Sequence, residues 1–273
     1  MSRYPLDRRQ FLTLPLKLLL APVLVQTAPW RAHAESETRR TAYDVDVGVL
    51  WDAMTFHLAG TLDEAVDRAT GRYEIKAVGQ GSKIQNRVES RGVLVDGRWS
   101  PVEATSWFLV AGRETRSQTL YDHDRRRIEY HFKGETFLLR RLRVADDVLT
   151  MPPGVHVDDV ITTVLNYADG RWPQQPDGSY HTYVVRRQRP EKEGPDDVSQ
   201  AYRAEIVPLA MRITSEPETG KAAASLDLTR FSSWAKERQP ARVVFGPDRR
   251  PETITASLIL GTSITIRLRA QTS

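Results

Sequence analysis

Two short acidic clusters are the places where this sequence could host chemistry. Asp122, His123 and Asp124 put three oxygen and nitrogen donors within three residues, which are the parts of a metal site. Successive strand residues point to opposite faces, however, and Arg125, Arg126 and Arg127 follow directly with charge that opposes a cation. A polar hairpin turn explains the cluster with fewer demands. Asp158 and Asp159 form the second cluster, and paired carboxylates are the machinery of acid–base hydrolysis. Both stand just ahead of an apolar segment, where a helix uses a carboxylate to cap its first N–H groups and to oppose its dipole. Capping is the simpler reading of that pair.

Other nucleophiles and ligands fail on spacing. Neither Gly79-Gln80-Gly81-Ser82 nor Gly261-Thr262-Ser263 completes a nucleophile elbow, and no phosphate loop, dinucleotide fingerprint or His-Glu-x-x-His run occurs. His57 and His131 alternate with Phe56, Leu58, Tyr130 and Phe132, which places them on the polar face of strands. The chain has no cysteine, which excludes thiol chemistry, thiolate metal sites, iron–sulfur clusters and disulfides. The sequence therefore assigns no catalytic residue, no cofactor-binding residue and no metal ligand. Two binding features remain. Arg140, Arg141 and Arg143, with Arg125 to Arg127 a hairpin away, form either a basic patch suited to anionic head groups or acidic glycans, or a salt-laced sheet surface. Trp107 shares a strand face with Glu103, Thr105 and Leu109, and can stack on a sugar, line an apolar groove or pack under a loop.

These residues sit on strands. Tyr43, Val45, Val47 and Val49 alternate with Asp44, Asp46 and Gly48, and the same period of two recurs around residues 73–77, 128–132 and 264–268. Less regular strand candidates fall at 53–60, 83–95, 102–110, 114–121, 136–144, 180–187, 203–213, 222–231, 241–246 and 252–259. Turn signals such as Asp96-Gly97, Lys133-Gly134 and Asp177-Gly178 separate them. The fold class this predicts is mainly β: an antiparallel meander curled into a barrel, a half-barrel or two packed sheets. One short helix is predicted near residues 158–167, with Asp158 or Asp159 as its cap, an apolar stripe of Val160, Ile161, Val164 and Leu165, and Gly170 just past its end. Residues 172–200, rich in proline and charge, read as a solvated excursion and as a possible division of the domain spanning residues 35–273 into two halves.

The first 34 residues read as an address. Arg8 and Arg9 precede an apolar stretch from Phe11 to Val25, and Ala32, His33 and Ala34 precede Glu35, the layout of a cleavable secretory signal cut before Glu35. Arg8, Arg9, Phe11 and Leu12 fit the twin-arginine export pattern. The apolar stretch, broken by Lys17, Pro15 and Pro22, is too short for a permanent membrane span after cleavage. The absence of cysteine excludes a lipid-modified N-terminus, so the expectation is a periplasmic protein that is not a lipoprotein. Of 39 basic and 35 acidic residues, five basic and one acidic fall in this segment, so the remainder is balanced. Balanced charge argues against nucleic acid as a partner.

With the strands laid out, the chain resembles a bacterial envelope family catalogued as domain of unknown function 3108. The resemblance runs through Tyr43 to Gly48, Gly71-Arg72-Tyr73-Glu74-Ile75, Ser90-Arg91-Gly92, Asp96-Gly97-Arg98-Trp99-Ser100-Pro101, Tyr121-Asp122, the helix after Val157, and Arg250-Pro251 through Ile264. It implies an exported, mostly antiparallel β domain and carries over no catalytic residue. Taken together, these observations lead to a non-catalytic envelope protein that binds or supports a lipid or glycan component. The alternative is a hydrolase of an envelope polymer acting through acidic residues.

Overall fold

A computed structural model of the chain describes residues 36–49, 54–136, 139–188, 196–198, 202–227, 239–258 and 262–270. Arg8, Arg9, Phe11, Leu12, Ala32, Ala34 and Glu35 lie outside them. The strands are β1 (Ser36–Val49), β2 (Met54–Asp67), β3 (Arg72–Gly81), β4 (Ile84–Val95), β5 (Arg98–Val110), β6 (Arg113–Asp122), β7 (Arg127–Glu135) and β8 (Leu142–Thr150). A two-residue β9 (Val157–Asp158) and helix α1 (Val160–Ala168) follow. The chain continues through β10 (Ser179–Arg187), β11 (Ala204–Ser215), β12 (Ala222–Leu226), β13 (Ala241–Phe245), β14 (Pro251–Leu258) and β15 (Thr262–Ala270). They form one sheet in the order β8-β7-β6-β5-β4-β3-β2-β1-β15-β14-β13-β12-β11-β10-β9, antiparallel throughout except for β9 beside β10.

This is a meander whose first strand pairs with its last, and it stays unclosed, with β8 and β9 as edges. Curling brings the two arms together through side chains. The Ala204 amide at the start of β11 donates to Asp147 Oδ2 of β8 at 3.0 Å, and Tyr121 and Ile128 of one arm pack with Met151 and Val157 leading to the other edge. Glycines opposite tyrosines allow close strand packing. Tyr43 pairs across from Gly60, and a Cβ there would lie 2.5 Å from the ring; Tyr73 lies over Gly92 in the same way.

Helix α1 sits inside the curl. Leu165 packs with Val66, Tyr73, Ile75 and Trp99 of the first arm, while Tyr167 packs with Trp172, Tyr180 and Phe245 of the second. Its cap is Asp159, whose side chain accepts from the Thr162 amide, and Gly170 takes φ +66° just past Asp169. The predicted stripe is only partly right. Leu165 is buried, yet Val160 is 69% exposed, and the buried residues include Thr162 and Asn166.

Two further expectations need correction. The strand expected at 136–144 begins instead at Leu142, because Arg140 takes the left-handed φ +54° and turns the chain before pairing resumes. The excursion expected from residue 172 is core at its start, where Trp172 is 2% exposed, while the strand expected at 180–187 is present as β10 (Ser179–Arg187) within the continuous sheet.

Candidate functional site

The concave face of β4 to β8, roofed by α1 and β10, encloses a half-open cavity of about 720 Å³. Strand alternation selects its lining. On β5 the residues Ala104, Ser106, Phe108 and Val110 face inward, joined by Thr119 and Tyr121 of β6 and by Tyr130 and Phe132 of β7. Val160 and Ile161 of the helix and Val184 and Val185 of β10 complete the wall. The exposure of Val160 is thereby explained, since it faces this space, and Phe108 is likewise 38% exposed to it.

Charged residues also line it, among them Glu89, Glu135, Asp159, Arg143, Arg186 and Arg187. Arg143 is 6% exposed and donates to the Asp197 carbonyl at 2.8 Å, Arg186 pairs with Glu205 at 2.7 Å, and the Arg187 guanidinium lies 4.3 Å from the Tyr202 ring centroid. Burial pushes the Tyr130 hydroxyl up to about 12 and lifts Tyr121 well above the usual phenol range, so both stay neutral donors at any physiological pH.

Beneath the helix lies a different arrangement. The Asp158 carboxylate is fully buried and accepts from Arg98 Nη2 at 2.6 Å, Thr182 Oγ1 at 2.5 Å and Asn166 Nδ2 at 3.1 Å, with His156 Nε2 at 3.0 Å. Asn166 also serves Trp99: its Oδ1 accepts from the Trp99 amide at 2.9 Å and its Nδ2 donates to the Trp99 carbonyl at 2.8 Å. Pairing with β6 begins only at Glu103, so the Asn166 amide substitutes for the missing strand at Trp99. The Trp99 indole donates to Asp169 at 2.9 Å, which fixes the far end of the helix.

Asp159 stands between hub and cavity. Its Oδ1 accepts from the Thr162 amide at 2.8 Å, and its Oδ2 accepts from Thr162 Oγ1 at 2.9 Å and Ser90 Oγ at 2.5 Å. Burial pushes its carboxyl up, and the nearby Asp158 charge adds to that, against the pull of the Ser90 and Thr162 bonds. With both oxygens engaged, this carboxylate is a cap. The Tyr73 hydroxyl extends the chain, 2.6 Å from Thr162 Oγ1 and 3.0 Å from Ser90 Oγ, and burial together with the Asp159 charge raises its pKa far above the ordinary phenol value.

The remaining sequence candidates scatter. Asp122 closes the β6–β7 turn by accepting from the Arg125 amide at 2.9 Å, while His123 stacks on Tyr121 and places Nε2 2.6 Å from the Pro101 carbonyl. His57 and His131 are exposed and pair with Asp46 and Asp146. Trp107 faces away from the cavity and donates to Glu114 at 2.8 Å; its neighbour Phe108 lines the wall that Trp107 was a candidate for. The two arginine runs make no joint patch. Arg125 pairs with Asp122, Arg127 with Glu129 and Arg140 with Glu135, Arg126 donates to the Met151 carbonyl, and Arg143 turns inward. Sequence reasoning missed the Arg98, Trp99, Asn166 and Thr182 hub, because its members lie 60 or more residues apart or on strands with no polar periodicity.

No family model matches the chain, and no curated protein matches it. Among solved structures, it is similar to the crystal structure of a β-barrel-like protein of domain of unknown function DUF1849 from Brucella abortus, at 9% sequence identity and a TM-score of 0.38. That match covers 85% of this chain and 96% of the other. The resemblance to domain of unknown function 3108 rests on the sequence motifs alone.

Proposed function

We propose that this is an exported, periplasmic, non-catalytic protein that binds or supports an envelope component, and that its cavity takes the acyl part of a lipid. The observation that carries this reading is apolar surface left facing water inside the curl, where Val160 is 69% and Phe108 38% exposed. A folded chain gains by covering such groups, and an apolar ligand covers them at about 0.8 kcal/mol per buried methylene. The volume of about 720 Å³ falls in the range typical of small-molecule sites. A glycan is the weaker ligand, since the tryptophan offered for stacking points away from the cavity and donates to Glu114.

A hydrolase reading finds little support in the acidic residues. Asp122 is committed to a turn, Asp158 is sealed among four partners and Asp159 is committed to the helix cap. Export is supported by Arg8, Arg9, Phe11 and Leu12, and by Ala32 and Ala34 before Glu35. Among the described residues, no helix is long and apolar enough to cross a membrane.

Native mass spectrometry of the protein from its own periplasm tests the ligand, with delipidated protein titrated against a fluorescent fatty acid as the second measurement. A co-purifying acyl lipid, or saturable probe binding, is expected; protein that carries none and binds none overturns the reading. Intact-mass analysis tests processing, with a chain beginning at Glu35 expected. Replacing Arg8 and Arg9 by Lys is expected to hold precursor in the cytoplasm, and normal export of that variant removes the twin-arginine route.

A further inference from the structure

We infer that the end of the molecule where β7 hands over to β8 is a docking surface for an anionic lipid leaflet. Antiparallel pairing gathers the end of β5, the start of β6, the end of β7 and the start of β8 at this one end. Arg140 Nη2 donates to the Gly112 carbonyl at 2.9 Å, tying the turn before β8 to the tip of the β5–β6 hairpin. The cavity reaches the same end, for Val110, Gly134, Glu135 and Arg143 are among its lining residues.

What this end presents to solvent is apolar. Leu139, Leu142 and Val144 are 59%, 48% and 43% exposed. Arg143 and Ala145, which alternate with the last two, are buried, so Leu142 and Val144 stand on the convex face of β8. Cations surround them. Lys133 lies directly across from Val144, Arg141 precedes Leu142, and the Ala111 amide bonds the Lys83 carbonyl at 2.7 Å, which brings the exposed Lys83 to the same rim. The nearby acids are engaged: Glu135 by Arg140, Glu114 by Arg116, and Asp196 by the Leu139 amide at 2.7 Å. The side chains of Lys83, Lys133 and Arg141 take part in no ion pair among the described residues.

Exposed aliphatic side chains ringed by uncompensated cations complement a leaflet whose head groups are anionic and whose acyl boundary accepts leucine and valine. A second copy of this chain is the poorer occupant, because a two-fold contact would set Lys133 and Arg141 against their own counterparts. The inference stands apart from the nature of the cavity ligand, which is read by cargo, whereas docking is read by leaflet contact. Either can fail alone.

The absence of native cysteine allows a site-specific test. Leu139→Cys carries an environment-sensitive fluorophore, and Asp124→Cys, in the turn at the other end of β6 and β7, carries the same label as control. Adding vesicles containing phosphatidylglycerol is expected to blue-shift the label at 139 and leave the label at 124 unchanged, with pure phosphatidylcholine vesicles giving no shift. Lys133→Glu with Arg141→Glu, both exposed and therefore compatible with the fold, is expected to weaken the partitioning at least fivefold. No shift at 139, an equal shift at both positions, or an unaltered response of the double variant overturns the inference. A shift that depends on protein concentration and needs no vesicles overturns it in favour of self-association.

Discussion

The two sides of helix α1 are built on opposite principles. On the side toward Trp99, the polar atoms of Asp158 and Asn166 meet partners from β5, β9 and β10, and the Trp99 backbone is completed by a side-chain amide. On the side toward β5 to β7, Val160 and Phe108 meet open space. Buried polar groups tolerate no vacancy, since each unpaired one costs its full desolvation, while an apolar wall can stand open to water at a smaller penalty. The helix can therefore be clamped from one side and still serve as the wall of a cavity on the other.

The largest effect is expected from Asp158→Ala, which leaves the Arg98 guanidinium, only 13% exposed, without its carboxylate. A loss of about 3–5 kcal/mol follows, as for other broken buried pairs, and urea unfolding measures it. Asn166→Ala leaves the Trp99 amide unpaired and its carbonyl with His156 Nε2 alone at 3.2 Å, and about 1–3 kcal/mol is expected by the same measurement. If either variant unfolds no earlier than the parent, the hub is not what holds the helix. Across the helix the ranking should invert. Val160→Asp places a charge on the cavity wall and is expected to weaken acyl-probe binding about tenfold, while stability stays within about 0.5 kcal/mol. Equal stability losses on the two sides would erase the contrast.

Asp159 sharpens the comparison through pH. Its folded pKa is raised above 3.8, so the folded chain holds the proton more tightly than the unfolded one. The stability this contributes is complete below the unfolded value and is lost as pH rises through the folded value. Asparagine keeps the cap without titrating, so Asp159→Asn is expected to improve relative to the parent between about pH 4 and pH 7. Urea melts at the two values check it, and a gap that moves the other way contradicts the sign. The smallest effect belongs to the convex surface: Arg40→Ala, which breaks an exposed pair with Asp63 at 2.5 Å, is expected to leave the urea unfolding midpoint essentially where it is in the parent.

Much of the fold was legible because a strand writes its orientation into adjacent residues. The alternation at Tyr43 to Val49 and at Ile128 to Phe132 marked β1 and β7, and the acidic pair before Val160 marked the start of the helix. Local pattern failed where the partner was distant. Val160 matched a buried stripe by spacing, yet only the curl of the sheet shows that this position faces the cavity. Trp107 and Phe108 are neighbours of similar character, and which one lines the cavity depends on the direction in which the sheet bends.

The sequence by itself determined the strand periodicity, a helix cap at Asp158 or Asp159, the turn at Asp122 and the exclusion of cysteine chemistry, because each depends on residue type and separations of a few positions. Only the tertiary structure decided that Asp158 is sealed against Arg98 and Thr182, that Asn166 completes the backbone of Trp99, and that the concave wall of β5 to β7 is left open. Those contacts join residues 24 to 67 positions apart or opposite arms of the sheet. Sheet curvature brings them together, and curvature is a sum over many strands that no local window of sequence contains.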